Sequence, residues 1–385
     1  MNSVNNIQDR VRGSLMAGAA GDALGYAVEF VSRKYMLDNY GERGITEFEL
    51  GSNGKAAISD DTQMTLFTAN GLLNVPRLGV SPHEAIERAY LDWYNTQVRA
   101  VPSSLNSCWL SGVRRMYALR APGNTCMSAL RTIVRGGNPM NDSKGCGGIM
   151  RVAPIPLFAV ATGTMDIAQT AMLACSTSSV THLHPLGCLP SALLAMLIYR
   201  VMTIEPERVK SYIDTIVLES LDMLDTMSRG RYESSREALR AITIKALQLA
   251  HSDIADHQAI ESLGGGWVAE ETWAIALFAA VRHIDSVEDA IIASVNHDGD
   301  SDSTGAVCGN IMGAIYGYEH IKARNIFCPA GRELEQTLEL SDVIRTIADD
   351  IAAGYILGKD EEVDSEAKRQ WKLRYYDMKP EGINP

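Results

Sequence analysis

Residues 13–25, GSLMAGAAGDALG, and residues 305–317, GAVCGNIMGAIYG, carry small side chains at every fourth position: Gly13, Ala17, Gly21 and Gly25 in the first, Gly305, Gly309, Gly313 and Gly317 in the second. Residues four apart share one face of an α-helix. A glycine inside a helix costs about 1 kcal/mol relative to alanine, so four on one face imply that another helix comes very close there. A membrane-helix reading of the stripes fails, because neither segment is long and apolar enough. The two stripes therefore predict central helices that bring together regions remote in the sequence.

Outward from these two segments, helical periodicity dominates and alternating strand-like patterns are few, which predicts an all-α protein. Helices are expected over Thr62 to Leu73, Pro82 to Tyr94, Met165 to Ala174, Leu186 to Val201, Pro206 to Asp225, Ser235 to Ala250, Ala269 to His283 and Leu340 to Leu357. The glycine-rich stretch Glu42 to Lys55 reads as a loop or small hairpin. No Pro-, Gly- or Ser-rich linker interrupts the middle of the chain, so one domain is expected over residues 11–358, after a flexible start at 1–10. The charged tail 359–385 holds Trp371, Tyr375 and Tyr376 and should dock in part, with a mobile end.

Lys and Arg number 35 against 47 Asp and Glu, a net charge of −12, and no basic run is present. That balance argues against nucleic acid or an anionic membrane as the main partner. The apolar runs at Leu193 to Val201 and Ile275 to Val281 read as too short to span a bilayer, and the polar start lacks a signal-peptide core, so a cytoplasmic location is expected. The cysteines at 108, 126, 146, 175, 188, 308 and 328 form no C-x-x-C pair and read as reduced thiols.

Two acidic clusters stand at helix starts. In SDDTQMTLFTANGLL, residues 59–73, Ser59, Asp60 and Asp61 precede an apolar run. A helix N-cap explains one such residue, and metal ligation is as good an account of the group. In NHDGDSDSTGAVCGNIMGAIYG, residues 296–317, Asp298, Asp300 and Asp302 alternate before Ser303 and Thr304 lead into the glycine-striped helix. Capping does not readily explain three acids in five residues. If the helices pack as inferred, both starts face one pocket, where each carboxylate pair at 4 Å would repel by roughly 4 kcal/mol at an effective dielectric of 20. A cation should sit among them, and oxygen ligands suit magnesium, manganese or calcium better than zinc.

At these residues the chain resembles the ADP-ribosylglycohydrolase family, with its S/T-D-D-T motif early and its G-D-x-D-[ST] motif late. Matches follow in order at GSLMAGAAGDALGYAVEF (13–30), GCGGIMRVAPI (145–155), THLHPLG (181–187) and, more loosely, GWVAEETWAIALF (266–278). The resemblance implies a single compact orthogonal helical bundle with a central binuclear site for two Mg2+, or Mn2+ in some members. It places the metal ligands on Ser59, Asp60, Asp61, Asp300, Asp302 and Ser303. Glu29 falls where members have a glutamate near the scissile ribose; by its residue type alone, a glutamate after an apolar helix reads as a solvated helix end. Gly145, Cys146, Gly147 and Gly148 would approach the ribose and diphosphate, and His182 would line the site, with His184 a weaker candidate. Arg151 reads as structural.

The family reaction is hydrolysis of the bond between ADP-ribose and a protein side chain. Asp60, Asp61 or Glu29 would move protons while the cations hold the ribose hydroxyls. The motifs look most like the ADP-ribosylarginine hydrolase branch, also the dinitrogenase-reductase-activating type. Alternatives are O-linked ADP-ribose on serine or O-acetyl-ADP-ribose, an immunity protein that binds an ADP-ribosyltransferase toxin, or a metal phosphohydrolase.

Overall fold

The computed structural model describes residues 3–99, 107–355, 357 and 362–378. Among these residues the chain forms nineteen α-helices and four short 3-10 helices, and the only β-pairing is two isolated bridges, Ala56 with Leu338 and Gly145 with Val268. The class is all-α.

The first helix, Ser3–Tyr26, lies antiparallel against the late helix Ser301–Tyr316. A Cβ placed on Gly13 would meet the Gly313 carbonyl oxygen at 2.4 Å, on Gly309 the Ala17 oxygen at 2.1 Å, on Gly21 the Gly305 oxygen at 2.1 Å, and on Gly25 the Ser301 oxygen at 2.2 Å. The two backbones thus touch along the whole stripe, which only hydrogen side chains permit. Ser14 and Asn310 stitch the pair: the Ser14 hydroxyl donates to the Asn310 carbonyl at 2.9 Å, and the Asn310 amide donates to the Ser14 carbonyl at 2.8 Å. This register sets the C-terminal end of the first helix beside the start of the late one.

Around the pair, the helices Asp60–Leu73, Leu189–Met202, Ala269–Arg282 and Ser341–Ala352 bury nearly all their apolar residues. The apolar run at Leu193 to Val201 belongs to a longer stretch than its sequence reading allowed. Pro185–Met202 is long and apolar enough by composition to cross a membrane, and 83% of it is buried inside the bundle, where it supplies core.

Among the described residues the first helix begins at Ser3, so residues 3–10, expected as part of a flexible lead, are helical. Arg10 anchors this turn by donating to the carbonyls of Val201 (2.8 Å) and Ile204 (2.7 Å). Residues 42–55 form a loop and not a hairpin; the Gly51 N–H donates to the Lys55 carbonyl at 2.9 Å, and no strand follows. Helices at Arg33–Tyr40, Asn124–Val134, Asp256–Leu263, Val287–Val295 and Tyr318–Arg324 were not anticipated, being short. In the tail, Ser365 caps the helix Glu366–Tyr375, and Trp371 and Tyr375 are buried. Arg374 donates to both oxygens of Asp350, at 2.7 and 2.5 Å, and the Tyr375 hydroxyl donates to the same carboxylate at 2.9 Å. The expected mobile end, residues 379–385, lies outside the described residues.

Candidate active site

Ser59 is the N-cap of the helix Asp60–Leu73: its Oγ accepts the Asp61 N–H at 3.1 Å. Asp300 caps the late helix, accepting the Ser303 N–H at 3.4 Å, and Asp302 accepts the same N–H at 2.9 Å. The acids therefore do cap, and they do something further. Both helix starts open on a single cavity of about 460 Å³ lined by Glu29, Asp60, Asp61, Asp300, Asp302 and Ser303, with Cys146, Gly145, Gly147 and His182 on another wall. Oxygen atoms of Glu29, Asp300 and Asp302 lie within 4.8 Å of one another. Ser59, in the early cluster, lies near enough to Asp302, in the late one, to lower its proton affinity.

All five carboxylates are buried, and no lysine or arginine is among the described residues that line the cavity. Burial, followed by the neighbouring charge of Asp302, raises Asp60, Asp61 and Glu29 above the ordinary carboxylate range, Glu29 to about 10. Asp300 and Asp302 rise as well, chiefly by burial. Glu29 Oε2 and Asp61 Oδ2 are buried with no hydrogen-bond partner. Buried anionic oxygens left unpaired are costly, and a hard divalent cation is the partner that this donor set fits. The positive ends of the two helices contribute in the same sense.

The neighbouring loops hold these side chains in place. The Glu271 carboxylate accepts the N–H groups of Gly265 (3.0 Å) and Gly266 (3.2 Å), and the Gly265 carbonyl accepts the Asp300 N–H at 2.8 Å. Gly123 donates its N–H to Asp60 Oδ2 at 3.2 Å from a wall segment in which Ala121, just before Pro122, takes a positive φ of 49°. Cys146 Sγ donates to Asp300 Oδ2 at 2.8 Å, so the thiol belongs to the acidic wall as much as to the glycine loop.

His182 packs its ring edge against Gly145 and Gly147; a Cβ on Gly147 would meet the ring carbon Cε1 at 2.9 Å. Burial and the nearby Arg151 hold the ring neutral, with its pKa pushed down to about 3. Nδ1 bonds the Thr181 hydroxyl at 2.9 Å, and that hydroxyl in turn accepts from Arg151 at 2.7 Å. In the tautomer in which Thr181 donates to Nδ1, the proton is on Nε2, where a neutral donor suits an anionic oxygen.

Several residues fall elsewhere. Gly148 faces away from the cavity, tight against the Gly187 carbonyl and Ser178, which makes it a packing position. His184 caps the short Pro185–Gly187 turn, with Nδ1 accepting the Leu186 N–H at 3.0 Å. Arg151 is fully buried, stacked 4.2 Å over the Tyr90 ring, and does not line the cavity. Asp298 leaves the cluster to accept the Arg33 N–H.

Three features were missed from sequence. Phe30 and Trp267 line the cavity mouth, 72% and 48% exposed, stacked with ring centroids 6.2 Å apart. Asp22 lies fully buried beneath the Ser59 to Thr62 turn, its proton affinity raised to about 7 chiefly by burial. A lone aspartate in a small-residue helix was the available signal for it; the aromatic pair had none beyond the exposure that only a fold reveals.

The ADP-ribosylglycohydrolase family model matches residues 3–360. An ADP-ribosylarginine hydrolase, Tri1, from Serratia proteamaculans (strain 568) is 24% identical over 319 residues, covering 81% of this chain and 73% of that protein. An ADP-ribosyl-[dinitrogen reductase] glycohydrolase from Rhodospirillum rubrum is 23% identical over 322 residues, covering 82% and 88% respectively. Among solved structures, an ADP-ribosylglycohydrolase-related protein complex superposes with a TM-score of 0.58 at 21% identity, covering 91% of this chain and all of that one, which shows a shared fold.

Proposed function

Because the chain belongs to the ADP-ribosylglycohydrolase family, we propose that it hydrolyses the N-glycosidic bond of ADP-ribosylarginine in modified proteins and releases ADP-ribose. The observation that carries this reading is the convergence of Glu29, Asp60, Asp61, Asp300 and Asp302 on one cavity with no lysine or arginine among its described lining residues. An anionic diphosphate enters such a pocket only if cations are held there.

In this reading Ser59, Asp60, Asp61, Asp300, Asp302 and Ser303 hold two magnesium or manganese ions. Bound there, the cations supply positive charge that offsets the diphosphate and polarises ribose oxygens and water. The chain's own groups do the rest. Gly145 and Gly147 let the backbone approach the ribose and diphosphate, and His182 Nε2 offers a neutral donor to a phosphate oxygen. Phe30 and Trp267 present flat faces at the mouth on which a purine can stack. Glu29, with one oxygen free of protein partners, holds the attacking water and takes its proton as the glycosidic bond breaks through a cation-like transition state. Arginine as the acceptor is supported by the similarity to Tri1 and by the acidic surroundings, which favour a guanidinium leaving group.

The test is release of ADP-ribose from protein modified on arginine, run beside protein modified on serine, with magnesium and with a chelator. Free ADP-ribose from the arginine substrate, abolished by chelation and by Asp60→Ala or Asp302→Ala, is the expected result. Release from serine alone transfers the reading to O-linked ADP-ribose. AMP and ribose phosphate as products would overturn the glycosidase reading altogether.

A further inference from the structure

We propose that Asp22 is a positioning residue for the cation site, a carboxylate that binds no cation itself but fixes the Ser59 to Thr62 turn so that Asp60 and Asp61 face the cavity; this rests on the metal reading above. Asp22 accepts the Ser59 N–H on both oxygens, at 3.0 and 3.1 Å, and the Thr62 N–H on Oδ2 at 3.1 Å. The Thr62 hydroxyl donates to the same Oδ2. Four hydrogen bonds thus clasp the two ends of a turn whose middle residues are Asp60 and Asp61.

Two observations set this apart from ordinary capping. Of the four bonds only the one from the Thr62 N–H serves a donor of the helix start; the other three hold the Ser59 N–H, which precedes the helix, and the Thr62 hydroxyl, neither of which a cap has to satisfy. Among the described residues, Asp22 also has no lysine or arginine partner, although it is wholly buried and lies beside Asp302. A fully buried carboxylate held only by neutral donors is expensive, and it is balanced when positive charge sits across the turn. Asp22 lies next to Gly21, where the first helix touches the late helix at Gly305, so it ties the turn to the helix pair that also carries Asp300 and Asp302.

The experiment is Mn2+ binding to the full chain, read from the electron paramagnetic resonance signal of free Mn2+, with far-ultraviolet circular dichroism and metal-free thermal unfolding on the same samples. Asp22→Asn keeps the shape but turns an N–H group toward donors. It is expected to fold and to bind Mn2+ roughly tenfold or more weakly, the usual scale for groups that orient ligands. Thr62→Val, which spares the carboxylate, should weaken binding in the same direction, and Thr62→Ser should restore it. Wild-type binding with Asp22→Asn and Thr62→Val both within about threefold of it would overturn the proposal and leave the metal reading intact. Should Asp22→Asn fail to fold, Thr62→Val against Thr62→Ser decides by the same criterion. A wild-type chain that binds no Mn2+ overturns the metal reading itself.

Discussion

Replacing Gly309 by alanine tests the helix pair on which the site is built. The added Cβ would lie 2.1 Å from the Ala17 carbonyl oxygen, 2.5 Å from its carbon and 2.8 Å from the Gly18 nitrogen. All three are backbone atoms, so no rotamer change relieves the contact. Real Cβ atoms essentially never approach closer than 3.0 Å, so the helices must part by about 1 Å. Alanine returns about 1 kcal/mol of helix propensity, whereas forcing apart a packed interface costs about 3 kcal/mol or more and strains the paired Ser14 and Asn310 bonds. The net expectation is a loss of about 2–4 kcal/mol. For 385 residues the unfolding entropy is roughly 0.8 kcal/mol/K, so Tm should fall by about 2–5 °C. Thermal and urea unfolding followed by circular dichroism measure it. Gly123→Ala is the control, because nothing lies within 4 Å of its Cβ and its φ is −57°. A Gly309→Ala protein as stable as wild type, with the control unchanged, would refute backbone contact between the helices.

Three further outcomes are expected. Asp350→Ala strands the buried Arg374 guanidinium and should cost about 3–5 kcal/mol, with Trp371 fluorescence shifting red as the C-terminal helix loosens; an unshifted spectrum counts against the docked tail. Trp267→Ala should raise KM for the ADP-ribosylated substrate about tenfold with kcat little changed, since base stacking is typically worth 1–3 kcal/mol; an unchanged KM removes the stacking role. The metal-free protein should lose stability as pH rises. Glu29 is raised from 4.5 to about 10 and Asp22 from 3.8 to about 7, so the folded state keeps protons that the unfolded chain releases. The stabilisation is complete below the unfolded values and is lost as pH climbs through the folded ones. Between about pH 7 and 7.5 histidines are largely neutral and thiols largely protonated in both states, so the slope belongs chiefly to the buried carboxylates of the site. Chemical denaturation with a chelator should show it and excess Mg2+ should flatten it; a slope unaffected by Mg2+ sinks the assignment.

The helices of the longer segments were legible in the sequence to within a few residues at their ends, from Pro206–Met227 to Ala269–Arg282. Short ones such as Val287–Val295 were not, because two or three turns carry too little pattern and depend on burial against neighbours. The acids of the site stood out because they cluster at two helix starts, where a cap needs only one such residue. Their sorting did not, since Asp298 and Asp302 look alike in the chain and differ only in what they meet.

What the chain determined alone was the helical class, two glycine faces that demand a close neighbour, and two acidic helix starts, because periodicity and side-chain chemistry are local properties. Only the tertiary structure decided that Gly21 faces Gly305, that Glu29 joins Asp300 and Asp302, that Gly148 and His184 serve packing and capping, and that Asp22 underlies the Ser59 turn. The reason is physical: a carboxylate's neighbours, and with them its burial and charge state, are set by which distant segment packs against it.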